Sequence, residues 1–251
     1  MVKKIITASM FLLGALISQA QTVDEMVAQA KQLEVQMKEQ EAFDKDKEIL
    51  KIQPTQLDAL IQASEMASRI GNRQKDKAAK TNYFNQAKDY AGAALKVNPN
   101  SAMANYAMSV AMGRMALISG AKDKVAASKD VKKYADLAIK LDPGFGPAYH
   151  VLGKWNYEVA TLNVFERSAA KMLFGGIPEG SLSNAIANFE KCRQLAPGFI
   201  LNYYELARAY KENDQEDKAV EVLKKALTLR NTTYDDASIK ADIKKMLDDL
   251  Q

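Results

Sequence analysis

One cysteine, one histidine and one tryptophan are spread over 251 residues, and each scarcity removes a class of chemistry. With Cys192 alone, no intramolecular disulfide can form. A buried lone thiol is inert, so an oxidising compartment is still compatible with the chain. With His150 alone, no histidine metal cluster can be assembled. Any Ser-His or Cys-His nucleophile pair would have to be built around that one residue. No nucleophile motif surrounds a candidate serine or cysteine. Gly175-Gly176 lacks the preceding strand and the lysine of a phosphate-binding loop. The expectation is a protein without catalysis and without a cofactor.

Other scarcities bear on the fold. Twelve glycines and six prolines leave little material for long flexible linkers. Runs of β-branched residues of strand length are missing. Ala, Leu, Lys, Glu, Gln and Met dominate instead, and these lose little entropy in a helix. The fold class read from this composition is all-α.

Charge of one sign is also scarce. The formal net charge is +4, and two of those charges, Lys3 and Lys4, lie in a leader expected to be removed, leaving about +2. A nucleic-acid binder normally carries a basic stripe. Lys122, Lys124, Lys129, Lys132 and Lys133 come nearest to one, but Asp123 and Asp130 interrupt it. The segment reads as a solvated helix face, and no nucleic-acid partner is expected.

The amino terminus reads as a signal peptide over residues 1–20. Lys3 and Lys4 are its basic start, Ile5 to Ile17 its short apolar core, and Ser18-Gln19-Ala20 its cleavage site before Gln21. No cysteine follows the core, which excludes a lipoprotein anchor. After residue 20 no apolar run is long enough to cross a membrane. The mature chain, 21–251, is therefore expected to be a single exported domain, periplasmic or otherwise extracytoplasmic.

Four prolines punctuate that domain within a recurring phrase: Ile52-Gln53-Pro54, Val97-Asn98-Pro99, Leu141-Asp142-Pro143 and Leu195-Ala196-Pro197. Each follows one helical apolar pattern and precedes another. Proline pushes the residue before it out of the α region, so it ends a helix. The prolines stand 45, 44 and 54 residues apart, whereas a tetratricopeptide repeat (TPR) of two antiparallel helices takes about 34. After Pro197 the match has no gap. Tyr203, Leu206, Ala207, Tyr210, Ala219, Leu223 and Ala226 fall on TPR signature positions, with Asn231 where a proline is expected. The chain thus resembles the TPR family. The longer units read as the same repeat with inserts between their helices, of about 11, 10 and 20 residues. The expected architecture is a TPR-like solenoid of helical hairpins. Its repeats are near 55–99, 100–143, 144–197 and 198–231, with a capping helix over 23–52 and another over 235–250, the latter facing inward through Ile239, Ile243 and Leu247.

The third unit is more particular. It reads Leu152-Gly153-Lys154-Trp155-Asn156-Tyr157-Glu158-Val159-Ala160, then Phe165-Glu166-Arg167 and Leu173-Phe174-Gly175, and later Pro197-Gly198-Phe199. From about Leu141 to Leu229 it resembles the regulator of microtubule dynamics family. That resemblance implies a TPR-like domain without known catalysis. Eukaryotic relatives include membrane-attached proteins at organelle contacts, one of them associated with phospholipid binding and transfer. The cleavable-looking leader departs from those relatives and fits an exported bacterial protein, for which a microtubule partner is implausible.

Two readings of the third unit stay open. Leu162, Phe165, Ala169, Met172 and Leu173 fall near helical spacing. They could form a lid over an apolar ligand, or a helix folded back to patch the solenoid. Trp155, Tyr157 and Tyr106 offer large contact area with a polar handle. Glu158 and Arg167 are expected to pair. Met103, Met108, Met112 and Met115 suit an irregular core better than a ligand wall. The candidate ligand- or partner-binding residues are Tyr106, Trp155, Tyr157, Glu158, Phe165, Arg167 and Phe174. The function expected is an exported scaffold or adaptor holding a peptide or protein in its concave groove. The alternative is a lipid or apolar small-molecule carrier with residues 162–174 as its lid. The sequence does not give the oligomeric state.

Overall fold

The computed structural model describes residues 21–250, without the side chains of Leu173 and Phe174. The expected leader, residues 1–20, lies outside the described residues. Among the described residues, all regular structure is helical. Five antiparallel hairpins follow one another: α1 Val23–Val35 with α2 Glu39–Ile52, α3 Leu57–Arg73 with α4 Lys77–Val97, α5 Ala102–Ile118 with α6 Ala121–Leu141, α7 Gly146–Ala160 with α9 Leu182–Leu195, and α10 Ile200–Glu212 with α11 Glu216–Thr228. Helix α8, Val164–Phe174, is inserted between α7 and α9, and α12, Asp236–Asp248, closes the array.

The prolines act as the sequence suggests. Pro54, Pro99, Pro143 and Pro197 each stand two residues past the last residue of a hairpin's second helix. Small residues then set the spacing. Ala63, Ala67, Ala87, Ala91 and Ala94 are fully or almost fully buried where α3 meets α4. Ala207, Ala219 and Ala226 play the same part between α10 and α11. At Gly153 an added Cβ would stand 2.7 Å from the Phe189 ring, so α7 and α9 touch across a glycine. Leu206, Leu223, Phe189 and Ile243 fill the second core, and Phe43, Met66, Leu60 and Ile61 the first. Met108 joins the first core and Met112 packs against it, whereas Met103 stays exposed.

Two local features differ from the sequence reading. Residues 23–52 form two helices, not one capping helix. The chain reverses at Met37, which has φ +60. The Lys38 N–H bonds back to the Leu33 carbonyl and the Met37 N–H to that of Glu34, a left-handed helix ending usually marked by glycine. In the second and third hairpins the surplus residues are not inserts. They lengthen the helices, which run to 17 and 21 residues in each of these hairpins against 13 and 13 in α10 and α11. Only the fourth hairpin carries a true insert, α8.

The first helices of successive hairpins touch one another: α3 meets α5, α5 meets α7, α7 meets α10, and α10 meets α12. They make the inner wall of the solenoid, and the second helices make the outer layer. The wall curves far enough for its ends to meet. Arg73, at the end of α3, lies 3.0 Å from Asp235, the residue before α12, and its guanidinium stacks 4.6 Å from the Tyr234 ring centroid.

Candidate functional site

Helical spacing brings polar residues to one stripe of each inner helix. On α3 the stripe is Glu65, Arg69, Asn72 and Arg73; on α5 it includes Tyr106 and Arg114; on α7, Lys154, Tyr157 and Glu158; on α10, Glu205, Arg208 and Glu212. Asn72 meets Arg114 between α3 and α5, and Lys154 meets Glu205 between α7 and α10, so polar contacts cross two of the boundaries of the concave wall.

Arg69 takes Glu34 at 3.0 Å, Glu65 at 3.3 Å and Glu39 at 3.4 Å. Burial works against the charge of Arg69, but the three glutamates outweigh it and raise its pKa. Glu39 is buried at the start of α2 and is shared with Arg73. A helix amino terminus favours a carboxylate there. Burial pushes Glu65 up to about 7, against the pull of Arg69. Farther along, Lys154 bridges Glu158 at 2.8 Å and Glu205 at 3.0 Å. Arg208 pairs with Glu205 at 2.8 Å and stacks 4.8 Å from the Tyr157 ring centroid. Beyond it opens a cleft of about 600 Å³, whose lining includes Tyr157, Tyr204, Arg208, Glu212, Asp242 and Met246.

The residues singled out in the sequence divide. Tyr106, Tyr157 and Glu158 lie on this wall. Trp155 instead packs between α6 and α7 with Val131 and Val159, and its Nε1 donates to the Ser128 carbonyl at 2.9 Å and to the Ser128 hydroxyl at 3.0 Å. The expected Glu158–Arg167 pair does not form. Arg167 donates to the Val159 and Ala160 carbonyls, closing the end of α7, and Glu158 turns to Lys154. Helix α8 packs on α6, and its Ala170 is buried. Its Val164, Phe165 and Met172 point outward at 78%, 87% and 84% exposure. It does not line the cleft beside Arg208. The Phe174 side chain is outside the described residues.

His150, on which any Ser-His or Cys-His pair would depend, belongs to the core, as does Cys192. The Asn202 amide donates to the Phe189 carbonyl at 2.9 Å. Its oxygen is thus left to accept from Nδ1 of His150 at 3.2 Å. The His150 ring sits between Phe189 and Phe199. Burial pushes the Cys192 thiol up to about 12, so no thiolate is present near neutrality. Among the described residues no group of His, Cys, Asp or Glu is arranged to hold a metal ion. The sequence reading passed over Arg69, Arg73, Arg114 and Asp235. A signal existed for part of this set: Glu65, Arg69 and Arg73 recur at intervals of four along one helix face.

The family profile described as Regulator of microtubule dynamics protein 1-3 matches residues 26–251. Regulator of microtubule dynamics protein 3 of Xenopus laevis is 30% identical over 174 residues, which are 69% of this chain and 38% of that protein. Regulator of microtubule dynamics protein 2 of Homo sapiens is 28% identical over 173 residues, 68% of this chain and 42% of that protein. The chain therefore spans about two fifths of the length of these curated relatives. Among solved structures, a thermophilic TPR protein of Thermus thermophilus matches with a TM-score of 0.64 at 14% identity, covering 91% of this chain and 98% of that one. This likeness establishes the TPR fold.

Proposed function

The chain belongs to the regulator of microtubule dynamics family, and from that premise we propose that it is a non-enzymatic scaffold whose concave wall holds a peptide or protein segment. The observation that carries this reading is the wall itself. Stacked hairpins give repeat proteins an extended concave surface, and here it presents Arg, Lys, Tyr, Asn and Glu side chains from four successive inner helices. Such groups recognise backbone amides and charged side chains.

The test is panning of the purified protein against a displayed library of random peptides, followed by photo-crosslinking from residues on either layer. Crosslinks are expected from positions on α5 and α7 facing the groove. Crosslinks confined to α4 and α6 would place the partner on the convex side and sink the proposal. A family of binders that shares no contact with the inner helices would do the same.

The second part of the proposal is export. Its support is the basic, apolar and small-residue succession over residues 1–20. Intact mass of the protein recovered from the extracytoplasmic fraction should correspond to a chain beginning at Gln21. A full-length mass in the cytosol would refute it.

A further inference from the structure

Arg114 stands apart from the other arginines of the wall. Arg69, Arg73 and Arg208 each have at least one carboxylate within ion-pair distance. Among the described residues Arg114 has none. Its Nη1 donates to the Asn72 side-chain oxygen at 3.2 Å. Its Nε is sealed from water and makes no hydrogen bond. Its Nη2 donates to no protein group and is not sealed off. Two turns away on the same helix, the Tyr106 hydroxyl is in the same state: not sealed off and bonded to nothing among the described residues. The Tyr106 ring is fixed edge-on against Phe145, 5.2 Å between centroids.

A half-buried guanidinium with only an amide oxygen for company is costly, because removal of water is not offset by a counter-charge. Burial accordingly lowers the pKa of Arg114. The nearby carboxylates do not serve. Glu34, Glu39 and Glu65 are taken by Arg69, and Asp235 by Arg73. Glu65, pushed up to about 7, also carries less negative charge than an ordinary carboxylate. Among the described residues the chain offers Arg114 no carboxylate of its own.

We propose that Arg114 reads a carboxylate side chain of the segment held in the groove, with the Tyr106 hydroxyl donating a hydrogen bond to the same segment, so that the partner is acidic. A planar guanidinium matches a carboxylate in both geometry and charge. This proposal rests on the concave-groove reading and adds the chemistry of the occupant.

Peptides selected from the random library supply the probe. Each is compared with a copy in which Asp and Glu become Asn and Gln, on the wild-type chain and on Arg114→Gln. Selected peptides should be enriched in Asp and Glu. The amide copies should bind roughly tenfold or more weakly to the wild-type chain and lose that difference on Arg114→Gln. Circular dichroism checks that the variant is folded. If it is not, Arg114→Lys, which keeps the charge and loses the planar fork, replaces it and should shrink the difference. An independent reading is the Nε–H resonance of Arg114, which should shift with the acidic peptide and not with its amide copy. If peptides bind to the inner helices but the amide swap costs the same with and without Arg114, this proposal fails and the groove reading survives. If no peptide binds the inner helices, both fail. Preference for inorganic phosphate, or for vesicles of anionic lipid, over the acidic peptide would overturn the carboxylate assignment.

Discussion

Two buried titratable residues set opposite pH slopes on stability. Both carboxyl oxygens of Asp46 are enclosed in the protein without a hydrogen-bond partner. Burial, with a smaller push from Glu34, raises its pKa from 3.8 to about 8. The unfolded chain ionises Asp46 near its ordinary value while the native chain keeps the proton. The stability tied to this group is full below pH 3.8 and is lost as pH rises toward 8. His150 works the other way. Burial lowers it from 6.5 to about 4, so its contribution is full above pH 6.5 and is lost as pH falls toward 4. Between those values the two slopes offset each other. Asp46→Asn should therefore raise urea stability by about 1–3 kcal/mol near pH 8 and less at pH 5, leaving a more acid-sensitive protein. His150→Gln should lower stability through lost ring packing but abolish the loss between pH 6.5 and 4. A slope unchanged in either variant would contradict the assignment. Neither role was legible in the sequence. Asp46 is one acid among 31 Asp and Glu residues, and only packing distinguishes it.

At the scale of the element, the hairpins depend on contact at a few points. Gly153→Ala would drive a methyl group into the Phe189 ring and should destabilise by about 1–3 kcal/mol through overpacking. Leu223→Ala, fully buried between α11 and its neighbours, should cost about 2–5 kcal/mol by leaving a cavity. Thermal unfolding of each variant checks both values. A shift of under about 1 °C in either would be inconsistent with these contacts. The regular hairpin was readable because every signature residue from Tyr203 to Ala226 follows without a gap. The longer hairpins were harder to place, because extra residues in a loop and extra turns of helix leave the same spacing between prolines. The break at Met37 was hidden for a related reason: no glycine or proline marks it, and backbone hydrogen bonds alone hold the left-handed residue. Trp155 had the composition of a binding residue, yet its indole N–H is satisfied by Ser128 within the packing.

For the whole molecule, the decisive feature is curvature, and local sequence does not encode it. The pairing of Arg73 with Glu39 and Asp235 joins α2, α3 and the approach to α12. Arg73→Ala should leave Glu39 buried with a weaker counter-charge and Asp235 unpaired, costing about 3 kcal/mol or more where the pair is most enclosed. Hydrogen exchange around residues 232–240 should quicken together with that at the end of α3. Faster exchange at one site alone would mean that the two ends are not coupled.

That contact spans 162 residues of chain. An open solenoid behaves as a one-dimensional array in which each unit answers only to its neighbours and the ends fray first. Joining the ends adds a nonlocal step to folding, which must come after the hairpins have stacked because its loop is the longest to close. The array then melts less like a strip and more like a hoop. Loosening α12 withdraws support from α3, and the second hairpin and the closing helix share one fate.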